Sequence, residues 1–513
     1  MSAANALSMR TCCTLTVASI LAVLAACTTV GPDFEPLSPG DDGALTFAEV
    51  DGLEPAAEVP VHWWEIFDDP VLNRFVDEAR AQNLNVEIAA LRVLEARARL
   101  DIAAGLRYPQ TQVAGGDASF VSPSESELLD LLGIDDFWQY SLGATVAWEA
   151  DFWGRYRRGV EAAGASLEAS IAAWDQAIVL LTAQVVSAYT TVREIEEQLR
   201  ISSENVTLQR RSYEITQVRF RNGQDSELDM QQALSLLLGT QATIPPLEAA
   251  LQRTKNALSA LLGRPPGYVD PILAQGAGLP VVSEDLAVGL PADMLRRRPD
   301  VRQAELLAKA QNAAVGLATA DLYPSFQLTG SLASTAGGPA DTPLSDLLSS
   351  GSFAYAIGGN FVWPFLNYGR IRSNIRVEDA RLQQALLNYR NTVIMAAREA
   401  DDAVAELIGA RAQNEILAQA VQSASRSNQL SLVRYREGFS DYERVLDSQQ
   451  RLFTQQQRYV TNLAAIVQNT VDLYKALGGG WEDRQGMPTI DEENVEMMRA
   501  RSDWGELLSE NED

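Results

Sequence analysis

The sequence predicts an α+β fold, mainly α, in which four amphipathic strands per chain join those of other copies in a transmembrane β-barrel continued by a long α-helical barrel. Three observations carry that expectation. The chain repeats itself at one fixed offset, each copy holds strands that alternate with period two, and each then enters a heptad pattern of unusual length.

Two phrases set the offset, VRFRNG at 218–223 and VRYREG at 433–438, which lie 215 residues apart (433 − 218). Other features recur at the same spacing: Tyr108-Pro109 with Tyr323-Pro324, Tyr140 with Tyr355, Gly143 with Gly358, Trp148 with Trp363, Gly154-Arg155 with Gly369-Arg370, and Leu262-Gly263 with Leu477-Gly478. An unvarying offset across so many points implies an internal duplication, with copies over about 84–264 and 299–479 and almost no net insertion.

Each copy opens with a helical stretch, 84–104 and 299–320, that ends at the Tyr-Pro pair, because proline disfavours helix in the residue before it. The period then changes to two. In YSLGATVAW, Tyr140, Leu142, Ala144, Val146 and Trp148 share one face while Ser141, Gly143, Thr145 and Ala147 share the other. The second copy alternates likewise, with Phe353, Tyr355, Ile357, Phe361 and Trp363 opposed by Ala354, Ala356, Gly358 and Asn360. A shorter strand follows each Tyr-Pro pair, so strands are expected at about 106–119, 137–149, 323–334 and 353–363, joined by polar loops at 120–136 and 335–352.

After Gly154 and Gly369 the period becomes helical. Leu382, Leu386, Tyr389, Val393, Ala396, Ala400, Ala403 and Leu407 step alternately by four and three, and Leu167, Ile171, Trp174, Ile178, Leu181, Val185, Ala188 and Val192 form the same seam 215 residues earlier. A sustained repeat of this kind is left-handed coiled-coil packing. A helix from Arg155 to Gly223 would be roughly 100 Å long at ~1.5 Å per residue, beyond what an ordinary globular domain needs. The pattern resumes after VRFRNG and VRYREG and runs to about 262 and 477, so each phrase marks a reversal, with Gly223 and Gly438 as left-handed caps. Pro245-Pro246 interrupts the first return helix and restarts it at a first turn.

These elements constrain one another. Four strands cannot close a membrane barrel, since such barrels begin at about eight, and lipid does not tolerate an open edge. Two copies would supply eight strands and three would supply twelve; the residues leave both open. Helices that continue from a closed ring of strands extend it as a tube, which also gives their seams partners.

The first residues set the compartment. After Arg10 comes the apolar run TLTVASILAVLAA, too short to span a bilayer and built like a secretory signal. Leu24-Ala25-Ala26-Cys27 resembles a bacterial lipobox, which implies cleavage before Cys27 and acylation of that residue; Thr28 rather than Asp after it implies passage to the outer membrane. Cys12 and Cys13 would leave with the signal peptide. The expected organisation is a lipoprotein signal peptide at 1–26, a lipidated extended segment at 27–61, a first repeat at 62–264, a linker at 265–298, a second repeat at 299–479 and an acidic tail at 480–513. That tail is expected to be disordered or to wrap the surface.

Composition removes several function classes. A formal charge of −27 argues against nucleic acid, which needs a basic face. A mature chain with one lipidated cysteine and one histidine, His62 beside Trp63-Trp64, supports neither a metal site nor a catalytic triad, and there is no Gly-x-Ser-x-Gly elbow or phosphate-cradling loop. His62 is expected to pack in an aromatic cluster. Neither catalytic residues nor cofactors are expected.

The segments CTTVGPDFEPL, HWWEIFDDPVLNRFVDEARAQN, GLPADMLRRRPDVRQAE at 289–305, WEADFWGRYRR, FLNYGRIRS and LLGRPPG together resemble outer-membrane efflux lipoproteins of the NodT branch of the TolC-like family, over about 27–480. The resemblance implies a homotrimer, hence twelve strands, with a large periplasmic helical barrel. It also implies a periplasmic adaptor (membrane fusion) protein and an inner-membrane pump of the resistance-nodulation-division class as partners. Members conduct rather than catalyse: the chain would be a passive export conduit for small molecules, closed at rest where the helices reverse. Carried over by motif, Asp447 of VLDSQ would line the periplasmic gate, and Asp229 and Tyr435 would form a helix latch by an aspartate to phenol hydrogen bond. Glu443 stands where relatives often carry an apolar residue and Arg444 follows it, so a polar gate of Glu443 and Asp447 braced by Arg444 is expected. Three symmetry-related carboxylates would repel one another and favour cations. The alternatives are the exit duct of a type I protein secretion system, disfavoured by the lipobox and LRRRPD motif, and a lipid-anchored periplasmic scaffold without a pore, disfavoured by the amphipathic strands. A lipid-anchored hydrolase lacks the His and Cys it would need.

Overall fold

A computed structural model describes residues 29–37, 53–55, 60–122, 136–276, 278–282, 286–288, 297–338, 342–482 and 490–508. Its main elements, in chain order, are α1 (Pro70–Gln82), α2 (Leu84–Gly105), β1 (Thr111–Val121), β2 (Phe137–Ala150), α3 (Arg155–Arg221), α4 (Glu227–Gln241) and α5 (Ile244–Leu261). They continue with α6 (Pro299–Ala320), β3 (Ser325–Gly337), β4 (Phe353–Val362), α7 (Arg370–Arg436), α8 (Tyr442–Ala476) and α9 (Glu492–Arg501). The long helices α3 and α7 are each 67 residues, with bounds 215 residues apart (370 − 155). A side-chain bond repeats with them: the indole N–H of Trp148 donates to the Arg107 carbonyl at 3.1 Å, and that of Trp363 to the Leu322 carbonyl at 3.1 Å.

The chain divides into two compact units, one of residues 1–37, 94–169 and 304–389, the other of 38–93, 170–303 and 390–513. The first holds a four-stranded antiparallel sheet in the order β1-β2-β3-β4. Register puts Tyr140, Leu142, Ala144, Val146 and Trp148 of β2 on one face with Leu328 and Leu332 of β3 and Phe353, Tyr355, Ile357 and Phe361 of β4. The large side chains of that face are almost all exposed, and the opposite face is mostly small and polar. No strand among the described residues covers the outer edges of β1 and β4. Apolar outside, polar inside and 10 to 14 residues long is the pattern of strands that cross a bilayer.

The segment 29–37 is fastened to this first unit. Val30 N–H donates to the Trp153 carbonyl at 3.0 Å. Arg158, 3% exposed, donates to the Val30 and Gly31 carbonyls and to Asp33. Gly31 crosses α6 so closely that a Cβ there would stand 2.4 Å from the Gly316 Cα, which is why a glycine occupies each position.

In the second unit Trp63 and Trp64 are buried, and Trp63 stacks on Tyr474 at 5.3 Å. His62 lies outside that core: it is exposed, next to Glu65 at 3.5 Å, because the first turn from Trp63 turns the indoles inward and leaves the imidazole at the surface. The LRRRPD motif also finds its reason here. Arg298, 6% exposed, donates to the Ala476 carbonyl, Asp300 and Glu399, all at 2.8 Å, and so ties the start of α6 to α7 and the end of α8. Replacing a buried, fully hydrogen-bonded guanidinium leaves carboxylates without a counter-charge. The tail is ordered over 490–508, contrary to the disorder its charge suggests: Asp491 N–H and the Asn494 amide donate to Glu87, and Ile490 and Leu508 are buried. Apolar anchors at both ends of a short helix outweigh the repulsion.

The heptad seam is buried as its spacing predicts. Trp174, Ile178, Leu181, Val185 and Val192 of α3 and Tyr389, Ala396, Ala400, Ala403 and Leu407 of α7 all lie in the interior. Thr243 precedes the restart at Ile244, which places Pro245 and Pro246 in the first turn of α5, where a missing N–H costs no bond.

Candidate functional site

The two reversals are built alike. Gly223 and Gly438 have φ of +71° and +75°, a left-handed conformation that a side chain would strain. In the first, Gly223 N–H donates to the Phe220 carbonyl and Gln224 N–H to Arg219, both at 2.9 Å. In the second, Gly438 N–H donates to Tyr435 at 3.1 Å and Phe439 N–H to Arg434 at 2.8 Å. Both are Schellman caps, which satisfy the last helical carbonyls and turn the chain back.

Between the reversals sits a charged and aromatic cluster. The Tyr435 hydroxyl donates to the Asp225 carboxylate and reaches Thr216 Oγ1 at 3.4 Å. Arg219 Nε donates to both Asp225 oxygens at 3.1 Å, and its guanidinium lies 4.8 Å from the centre of the Tyr435 ring. Tyr442 meets that ring edge-on at 5.4 Å, and Ala233 and Val445 close the apolar side. Burial, then the bond to Asp225, pushes the Tyr435 phenol up from its ordinary 10.0 to about 12, so it is a permanent donor at neutral pH. The cluster joins the first copy to the second and cannot be repeated at the other offset, where Phe220 replaces Tyr435 and Ser440 replaces Asp225.

This corrects the expected latch partner. Tyr435 bonds Asp225, not Asp229, which lies one turn later and is already committed. Asp229 accepts from Ser226 N–H at 3.1 Å while Ser226 Oγ accepts from Asp229 N–H at 3.2 Å, a capping box at the start of α4. The spacing Ser226-x-x-Asp229 carries that signal in the sequence. Arg219 went unforeseen because an arginine in a last helical turn reads as a solvated partner of the helix dipole.

Glu443, Arg444 and Asp447 lie exposed on one side of the first turns of α8, while Val445, Ser448 and Gln449 face inward. The structure thus brings the three expected gate residues to one surface. Asp447 accepts from Arg451 at 2.9 Å, an exposed i, i+4 pair that only weakly offsets the carboxylate charge. Cys27, the expected lipidation site, lies outside the described residues. Among the described residues no group of three or more His, Cys, Asp or Glu side chains gathers as a metal site.

Comparison with known proteins agrees with this arrangement. The family model described as outer membrane efflux protein matches twice, over residues 75–264 and 290–479, again 215 apart (290 − 75). Nodulation protein T of Rhizobium leguminosarum bv. trifolii is 29% identical over 88% of this chain and 94% of its own. The probable outer membrane lipoprotein SilC of Salmonella typhimurium is 29% identical over 90% of this chain and 98% of its own. The solved structure of the outer-membrane channel OprN superposes with a TM-score of 0.80 at 29% identity, over 88% of this chain and 99% of that one. Matched in both copies, and alike in fold to a solved channel over nearly all of it, the chain belongs to the outer membrane efflux protein family.

Proposed function

We propose that three copies of this chain form a passive conduit from periplasm to exterior, the outer-membrane component of a tripartite efflux pump for small molecules. The chain is an outer-membrane transport protein rather than an enzyme, as its family and structural relatives are. The observation that carries the proposal is a sheet with an apolar face exposed and both edges open, in a chain whose strands pass directly into 67-residue helices. Twelve strands from three copies would pair every edge. The exposed Leu387, Ile394 and Ile408 of α7, at heptad spacing, offer a second stripe for a neighbouring copy.

In this reading residues 62–264 and 299–479 are the two efflux repeats, joined by 265–298. Cys27 carries the lipid, as the name of the Salmonella relative suggests. Gly223 and Gly438 form the turns at the periplasmic end. Tyr435, held by Asp225 and Arg219, latches one hairpin to the other, and the exposed Glu443, Arg444 and Asp447 line the constriction. A periplasmic adaptor and a resistance-nodulation-division pump supply selection and energy. Native mass spectrometry of the protein extracted from outer membranes tests this: the expected species is a trimer whose subunits begin at an acylated Cys27. A monomer, or a chain retaining residues 1–26, would contradict it.

A further inference from the structure

The membrane-spanning part of this chain has a charge asymmetry that its net acidity does not require. Residues 111–150 and 325–362, which hold all four strands and the connections β1–β2 and β3–β4, contain nine Asp and Glu and no Lys, Arg or His. Within the strands only Asp117 and Glu149 are charged. Glu149 stands where β2 meets α3 and is already compensated: Arg155 is 3.8 Å from it and the Tyr156 hydroxyl donates to it at 3.3 Å. Arg157 and Arg158, in the same turn, are engaged by Asp151 and by Asp33 and Glu161.

Asp117 is different. Register pairs it with Ser141, on the face opposite Tyr140 and Leu142, and it is exposed there, accepting a bond from the Ser141 hydroxyl. Its neighbours on that face, Gly115, Ser119, Gln139, Gly143, Ala333 and Thr335, are small or neutral. β4, the strand that a barrel of copies would set beside β1, presents Ala354, Ala356, Gly358 and Asn360 on the same side. No cation in any strand can answer Asp117. In a narrow low-dielectric tube an unanswered carboxylate focuses field on the lumen.

We propose that Asp117 is a selectivity-determining residue of the conduit: three copies form an anionic ring inside the barrel that admits cationic solutes and retards anionic ones. The inference rests on the trimeric conduit proposed above and assigns it a charge filter in the membrane, separate from the helix reversals. Polar neutral neighbours keep the ring ionised and hydrated rather than bound to a protein cation, so it acts on whatever passes.

Reversal potentials of purified trimers in planar bilayers under a potassium chloride gradient test this, in both the wild type and a Tyr435→Phe background in which the far end is slackened. The wild type is expected to prefer potassium, and Asp117→Asn to lower the potassium to chloride permeability ratio about threefold or more. Asp117→Lys should move it further toward chloride, and the fall on Asp117→Asn should persist in an Asp447→Asn background. Asparagine keeps the shape and the Ser141 contact, and heat-modifiable trimer migration verifies assembly. An unchanged ratio in trimers that conduct normally overturns the filter alone. Wild-type trimers that insert yet pass no current in either background overturn the conduit itself.

Discussion

At position 435 one oxygen atom separates the two reversals, since its counterpart at 220 is phenylalanine. That hydroxyl meets a carboxylate already held by Arg219, a charge-assisted bond of the kind that contributes about 1.5–3 kcal/mol. Tyr435→Phe is therefore expected to loosen the reversals without unfolding them, which hydrogen exchange at residues 216–230 and 432–446 would register as faster opening in those segments only. The pH dependence follows from the direction of the phenol's shift. Its folded value of about 12 exceeds the unfolded 10.0, so its contribution is whole below pH 10 and is lost as pH rises through 12. Exchange protection at the reversals, corrected for the intrinsic rate, should be flat from pH 6 to 9 in both proteins. On the exposed side of α8, Asp447→Ala and Glu443→Ala should each change single-channel conductance; unchanged conductance in both would remove them from the constriction. Motif matching placed Tyr435 well and its partner one turn late, because a capping box and a latch draw on the same residue type within one turn.

At the scale of elements, periodicity made much of the fold legible. The alternation in YSLGATVAW and the heptads after Gly154 and Gly369 depend on burial of one face, which is the physics that forms strands and coiled helices. Legibility ended where the seam turned polar. In α3 the inward positions after Ile201 are Asn205, Gln209, Ser212 and Thr216, all buried, and hydropathy reads such a run as a solvated face. Most are answered by side chains of α8: Asn205 donates to Gln456 at 2.8 Å, and Gln449 donates to Ser212 at 2.7 Å. Gln209 is 1% exposed and both its amide atoms lack a hydrogen bond among the described residues. A polar seam specifies register while holding the helices less tightly than an apolar one. Gln209→Leu should accordingly raise the denaturation midpoint, by an amount equivalent to about 1–2 kcal/mol per chain. A lowered midpoint would mean the amide has a partner in the assembly that the single chain lacks.

For the whole molecule, sequence and single-chain structure converge on incompleteness. Open strand edges, an apolar sheet face in contact with nothing and an apolar stripe on α7 all describe a chain that is one part of a ring. The strand count alone could not choose between two copies and three, since eight and twelve strands both close; family resemblance made that choice. Nor could composition show where the acidic residues act, because a net charge carries no position until register assigns faces. The central claim is that the assembled chain is a pore. Recording current across planar bilayers after adding purified trimer tests it most directly: the account predicts discrete unitary steps, larger and longer-lived in Tyr435→Phe, whereas trimers that insert without conductance in either protein would contradict it.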